Sequence, residues 1–216
     1  MSDERAAIRS AKVNIDAWID EIESGGLDAI VVTASGCGTE IKDYAHLLRH
    51  DPAYAEKARR IAGKACDITE VVAELGLGDV TRRDAPPIVY HAPCSLQHGQ
   101  GLDRLPQDLL RRAGFEVRTP REAHLCCGSA GIYNLLQPET ANELGSRKVD
   151  NLLATDAQAV VSANPGCLLQ LMNGLRRRGH KAMPAFHMVE LLDASMRGIA
   201  AAEMLAGSRD THVHAG

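Results

Sequence analysis

The sequence predicts an α/β protein: a Rossmann-like parallel sheet flanked by helices, with cysteine loops at the carboxyl ends of its strands. Three observations predict this class. Short apolar runs of strand length alternate with helix-period segments along the chain. Five of the six cysteines lie in the loops that follow those runs. Glycine and proline punctuate the junctions between the two kinds of segment.

In chain order, Ala7, Ala11, Ile15, Trp18, Ile19 and Ile22 fall at helical spacing, and "SGG" at 24–26 stops that helix. The run "LDAIVVTAS" is short and apolar enough for a buried strand, and it leads into "SGCG" around Cys37. Helical patterning resumes from Thr39 to Leu48, from about Pro52 to Gly63 and from Asp67 to Leu75. Cys66 joins Ile61, Ile68 and Val72 on this helical stretch, as a buried structural thiol. The alternation then repeats. A strand from Ile88 to His91 enters the loop around Cys94, and Leu102, Leu105, Leu109 and Leu110 mark a helix. "FEVRTP" is a strand leading to the pair Cys126 and Cys127, and "CCGSAG" opens a helix. A long helix from about Pro138 to Ala154 precedes the strand "AQAVVSA" and the loop "NPGC" with Cys167. The helix "LLQLMNGLRRRG", a short strand near Met183 to Phe186 and a last helix from about His187 to Leu205 complete the order.

Composition narrows the function. Over 216 residues the formal charge is −4 with signs intermixed, which points away from nucleic acid and from anionic membrane surfaces. Two Phe, four Tyr and one Trp leave an aliphatic core and little for stacking bases or sugars. The amino-terminal segment lacks the apolar core of a secretion signal, and no apolar run approaches the roughly 18–20 residues that span a bilayer. The expected place is the cytoplasm, with peripheral attachment to the inner membrane face as a variant. In a reducing compartment the cysteines read as ligands or redox groups rather than disulfides.

Parallel sheets of this kind collect ligands at the carboxyl ends of their strands, where Cys37, Cys94, Cys126, Cys127 and Cys167 are expected. Soft thiolates in the absence of a clear histidine or carboxylate set select zinc or an iron–sulfur cluster. Adjacent cysteines can reach different irons, and neither the C-x-x-C pair of a zinc site nor a ferredoxin run is present. Gly36, Gly38, Gly128, Gly131 and Gly166 would let backbone N–H groups approach sulfur, while Pro93 and Pro165 stiffen the approach. His91 and His98 flank Cys94 as candidate hydrogen-bond donors to cluster sulfur, beside a plain reading as capping or solvent-facing residues. His124 and His187 carry the same two readings. Arg176, Arg177 and Arg178 complement a helix dipole, and His212 and His214 lie in the tail.

On these residues the sequence resembles the cysteine-rich CCG-domain family, seen in heterodisulfide reductases. Within it the sequence is most similar to the carboxy-terminal part of glycolate oxidase iron–sulfur subunits. "LDAIVVTASGCGTEIKDYAHLL", "YHAPCSLQHGQG", "LCCGSAGIYNLLQPETANELGSRKVDNL" and "ANPGCLLQLMNGLRRRG" carry the resemblance. It implies residues 1–80 as the closing piece of a first module, 81–206 as a second module and 207–216 as a frayed tail, so that the chain is a fragment. It implies Cys94, Cys126, Cys127 and Cys167 as ligands of a [4Fe–4S] cluster, with Cys37 closing the first module or standing as a fifth ligand. The heterodisulfide reductase pattern ends in C-x-x-C, whereas Leu168, Leu169 and Gln170 follow Cys167 here; a non-cubane cluster and zinc therefore remain alternatives. The implied role is electron transfer: flavin-containing subunits oxidise glycolate to glyoxylate, and this iron–sulfur subunit passes electrons toward the quinone pool. The alternatives are a heterodisulfide- or lactate-type oxidoreductase subunit and a structural zinc domain.

Overall fold

The alternation of strand and helix is realised in two units, one running to Val71 and the other beginning at Val72. The structure is a computed structural model and describes residues 4–78, 80, 86–200 and 202–205.

In the first unit, α1 (Glu4–Ser24) buries Ala11, Ile15 and Ile19, four residues apart on one helical face, while Ala7 is exposed. β1 (Ile30–Val32) leads into α2 (Ser35–Lys42), and α3 (Tyr44–Leu47) and α4 (Ala55–Ala62) follow. Tyr44, Leu48, Ala58 and Ile61 close the core over α1. β2 (Ala65–Asp67) pairs in parallel with β1, setting Cys66 opposite Val31. Cys66 therefore belongs to a strand, not a helix, and is half-buried rather than buried. Three residues are too few to show an alternation; backbone pairing makes them a strand, beginning with the Ile30 N–H donating to Lys64 O at 2.7 Å. Asp67 then accepts from the Thr69 N–H and hydroxyl at 3.0 and 2.8 Å, which turns the chain into α5 (Ile68–Leu75), where the division between the units falls.

The second unit contains β3 (Pro87–His91), a π-helical turn at Ser95–Gly99, α6 (Leu105–Arg112), β4 (Glu116–Arg118), α7 (Tyr133–Leu136) and α8 (Pro138–Leu153). β5 (Ala159–Ser162), α9 (Pro165–Arg177), β6 (Ala185–His187) and α10 (Met188–Met196) follow. Its four strands are all parallel, in the order β4-β3-β5-β6, and form a Rossmann-like sheet flanked by helices. Side chains alternate across the central strands. Ile88 and Tyr90 of β3 and Ala159 and Val161 of β5 pack with Leu109, Leu110, Leu191 and Leu192 from α6 and α10. Val89 and Val160 face the other way, onto Val149 and Leu152 of α8 and Leu171 and Leu175 of α9. Covered on both faces, these strands are largely apolar until they end in the buried polar residues His91 and Ser162.

The last predicted helix is shorter than expected. Gly198 takes φ +68 just beyond α10, which ends at Met196, and residues 202–205 form a separate helical turn. The tail at 207–216, with His212 and His214, lies outside the described residues. Among the described residues, no helix is long and apolar enough to cross a membrane.

Candidate metal centre

The site begins with strand parity. His91 ends β3 two residues after Val89, so its ring lies on the α8/α9 face of the sheet, level with Ser162 of β5 in the pairing register. The Ser162 hydroxyl donates to His91 O at 3.0 Å and ties the two strand ends together. Three residues beyond His91, Cys94 stands immediately before the π-helical turn, as its N-cap. Pro93 O accepts from the Leu96 and Gln97 N–H groups at 3.1 and 2.9 Å, and Leu96 is buried in the α6/α10 core. Cys94 is thereby fixed at the strand end, half-buried.

Cys126 and Cys127 lie on the long connection between β4 and α7, which α8 grips from one side. Glu122 occupies a left-handed conformation at φ +52. Its carboxylate accepts from Arg147 Nε at 2.7 Å, from Arg147 Nη2 and from Asn151 Nδ2 at 2.8 Å. Arg147 foremost holds the Glu122 carboxyl down at about 2. Beside it Lys148, 1% exposed, donates from Nζ to Glu122 O at 2.7 Å and to Ala123 O at 3.4 Å. Burial holds this ammonium below the ordinary lysine range, opposed first by the nearby Cys127 sulfur. The expected helix at "CCGSAG" does not form. Gly128 turns at φ +88, α7 starts only at Tyr133, and none of the four α7 residues is buried. A Cβ on Gly128 would lie 2.4 Å from Ala141 O, so the chain passes against α8 where a side chain has no room. The turn aims the Gly128 N–H at Cys126 Sγ, 3.3 Å away.

Cys167 sits in the first turn of α9, not in the loop before it. Asn164 caps this helix, its side chain accepting from the Cys167 N–H at 3.2 Å, and Pro165 takes the first position. The helix N-terminus favours a thiolate there, and Cys167 is buried.

These segments bring four sulfurs and one imidazole together. Cys127 foremost, then Cys94, holds the Cys126 thiol far below its ordinary range by hydrogen bonding. Cys127 does the same for Cys167, assisted by His91. The donors Cys94 and Cys127 are pushed up in turn, chiefly by Cys126, and then by burial for Cys94 and by Cys167 and burial for Cys127. His91, Cys127 and Cys167 are all buried, and their ligand atoms lie within 4.8 Å of one another. Neither ring nitrogen of His91 has a hydrogen bond of sound geometry, although the imidazole is close enough to Cys167 to lower its pKa. All six cysteines are free. A set of converging thiols with a buried, unpartnered imidazole fits a thiophilic metal centre, of iron–sulfur or zinc type.

The other sequence candidates have plainer positions. Cys37 is exposed in the first turn of α2 in the first unit. His98 and His124 are exposed, with His98 Nε2 3.5 Å from His124 O. His187 caps α10, its Nδ1 accepting from the Val189 N–H while its own N–H donates to Glu190. Arg176, Arg177 and Arg178 are exposed at the end of α9, where Arg178 pairs with Asp150 at 2.7 Å. His91 is neither capping nor solvent-facing. Lys148 and Glu122 escaped the sequence reading, yet Lys148 lies on the same helical stripe as Ala141, Gly145 and Leu152, where a charge was the available signal.

Comparison with known proteins gives the same segment. The CCG cysteine-rich domain profile matches residues 88–172. The glycolate oxidase iron–sulfur subunit of Escherichia coli is 40% identical over 166 residues, covering 77% of this chain and 40% of that protein. A probable glycolate oxidase iron–sulfur subunit of Bacillus subtilis is 35% identical over 186 residues, covering 84% of this chain and 41% of that protein. Lactate utilization protein A of Bacillus velezensis is 30% identical over 167 residues, covering 76% of this chain and 70% of that protein. The matched region thus spans about two-fifths of the two glycolate oxidase subunits.

Proposed function

Because the chain belongs to the cysteine-rich CCG-domain family, we propose that Cys94, Cys126, Cys127 and Cys167 hold an iron–sulfur centre of the [4Fe–4S] class and that the chain relays electrons in a glycolate-oxidising complex. Convergence of four sulfurs from three segments following strand ends carries this reading. Residues 1–80 are read as the closing piece of a first cysteine-rich module and 81–206 as a second module. Cys37, exposed in the first unit, is left out of the proposed ligand set.

When bound, such a centre accepts and returns one electron at a time. The chain's own groups set the conditions for that exchange. Buried Cys127 and Cys167 exclude water, the Gly128 N–H and the α9 N-terminus stabilise negative sulfur, and Lys148 places a positive charge behind the loop. On this reading flavin subunits oxidise glycolate to glyoxylate and electrons pass toward quinone, while this chain supplies thiolates rather than substrate-oxidising groups. Six free cysteines suit a reducing cytoplasm. The relative named lactate utilization protein A favours a second reading in which the partner's substrate is lactate.

Anaerobic purification with iron, sulfide and zinc analysis and electron paramagnetic resonance tests the centre. Iron and sulfide with a reducible signal are expected; stoichiometric zinc without iron would sink the electron-transfer reading. Reduction of the loaded chain by a purified glycolate-oxidising flavin subunit is expected with glycolate, and reduction only with lactate would select the second reading.

A further inference from the structure

The four-cysteine assignment leaves His91 unexplained. This side chain is 1% exposed and ends a strand whose neighbours are apolar, yet neither ring nitrogen makes a hydrogen bond of sound geometry, Cys167 being the group it approaches. Buried polar groups are nearly always satisfied, so an imidazole orphaned at both nitrogens marks a missing partner. The position of the ring is not accidental. Strand parity aims it at the α8/α9 side of the sheet, and the hydrogen bond that the Ser162 hydroxyl donates to His91 O fixes the strand end from which it projects. Its ligand nitrogen shares a space no wider than 4.8 Å with Cys127 Sγ and Cys167 Sγ. Two thiolates at about 2.3 Å and one imidazole at about 2.0 Å from a common ion lie no more than about 4.6 Å apart, so small adjustments would close the set.

We propose that His91 is itself a metal ligand, binding the same ion as Cys127 and Cys167. This rests on the metal-centre reading above and deepens it. Cys94 and Cys126 then serve the remainder of the centre, with the adjacent pair Cys126–Cys127 spanning the two parts. Five protein donors exceed the four that one cubane takes, so the assignment favours a cluster of another shape or a cubane from which one thiolate is released. A neutral imidazole adds no negative charge where a thiolate at the same position would add one, and reduction of the centre is easier for that reason.

Two preparations of the full chain test this. In one, iron and sulfide are reconstituted into protein labelled with 15N-histidine, and the reduced centre is examined by pulsed electron paramagnetic resonance. In the other, zinc alone is bound and its X-ray absorption fine structure is recorded. The expected results are a strong nitrogen coupling that changes with the label, and a nitrogen neighbour in the zinc shell that His91→Cys replaces by sulfur. In the iron-loaded protein His91→Cys should keep the metal, lose the nitrogen coupling and move the midpoint potential to lower values. A weak coupling of the hydrogen-bonded kind together with an all-sulfur zinc shell overturns the proposal while leaving the cluster reading intact. Zinc bound with nitrogen but no iron uptake overturns the cluster reading and keeps His91 as a ligand. Failure to bind either metal overturns both.

Discussion

At the scale of residues, the connection carrying the cysteine pair is held by charges that the sequence disguises as ordinary surface groups. Glu122 has its carboxyl held down at about 2 by Arg147, so its contribution to stability is complete above the ordinary value of 4.5 and fades as pH falls through about 2. The stability difference between wild type and Glu122→Gln, from urea unfolding at several pH values, should therefore be largest above pH 4.5 and shrink toward pH 2. A pH-independent difference would show that the ion pair contributes nothing. Lys148 acts differently, because its Nζ satisfies two backbone carbonyls while buried. Lys148→Met should cost about 1–3 kcal/mol, the penalty of an unsatisfied buried acceptor, and should accelerate hydrogen exchange in residues 119–132. Unchanged exchange there would reduce Lys148 to a spectator.

At the scale of elements, the centre depends on two ways of ending regular structure. α9 begins at Pro165 with Asn164 as its cap, which moves Cys167 from the expected loop into a helical first turn. The cysteine pair does the opposite and stays outside helix, because Gly128 turns at φ +88 against α8. Gly128→Ala places a Cβ into Ala141 O and into a left-handed backbone, which costs on the order of 1–3 kcal/mol from conformation alone. Thermal unfolding should fall accordingly, and metal per chain should drop with it as the Gly128 N–H swings off Cys126. Full metal loading in Gly128→Ala would show that the turn does not position the pair. "CCGSAG" gave a helical impression because small residues followed by "IYNLLQ" lack a strong breaker other than glycine itself; backbone crowding at Ala141 is a long-range fact.

At the scale of the whole molecule, the second unit carries the convergent donors and the first carries Cys37 and Cys66. Cys126→Ser and Cys127→Ser should abolish iron loading, while Cys37→Ser and Cys66→Ser should leave iron and sulfide per chain unchanged. Loss of iron in Cys37→Ser would add that residue to the ligand set. Loss in all four variants alike would dissolve the sorting of the cysteines.

Local pattern determined a good deal by itself. Apolar runs between helical segments marked the four strands of the larger sheet, and the cysteines after them pointed to a soft-metal site at its carboxyl edge. Strand type and junction position depend on neighbours within a few residues, so they are legible in a linear text. The three-residue β2 escaped because pairing with β1, and no periodicity of its own, makes it a strand. Only the tertiary structure decided which face of the sheet receives His91, because that depends on the parity of β3 against β5 and on α8 and α9 packing over that face. It also decided that Lys148 points inward at the cysteine loop rather than out to solvent. Donors separated by tens of residues meet only through strand register and helix packing, and those are set by the burial of the whole core.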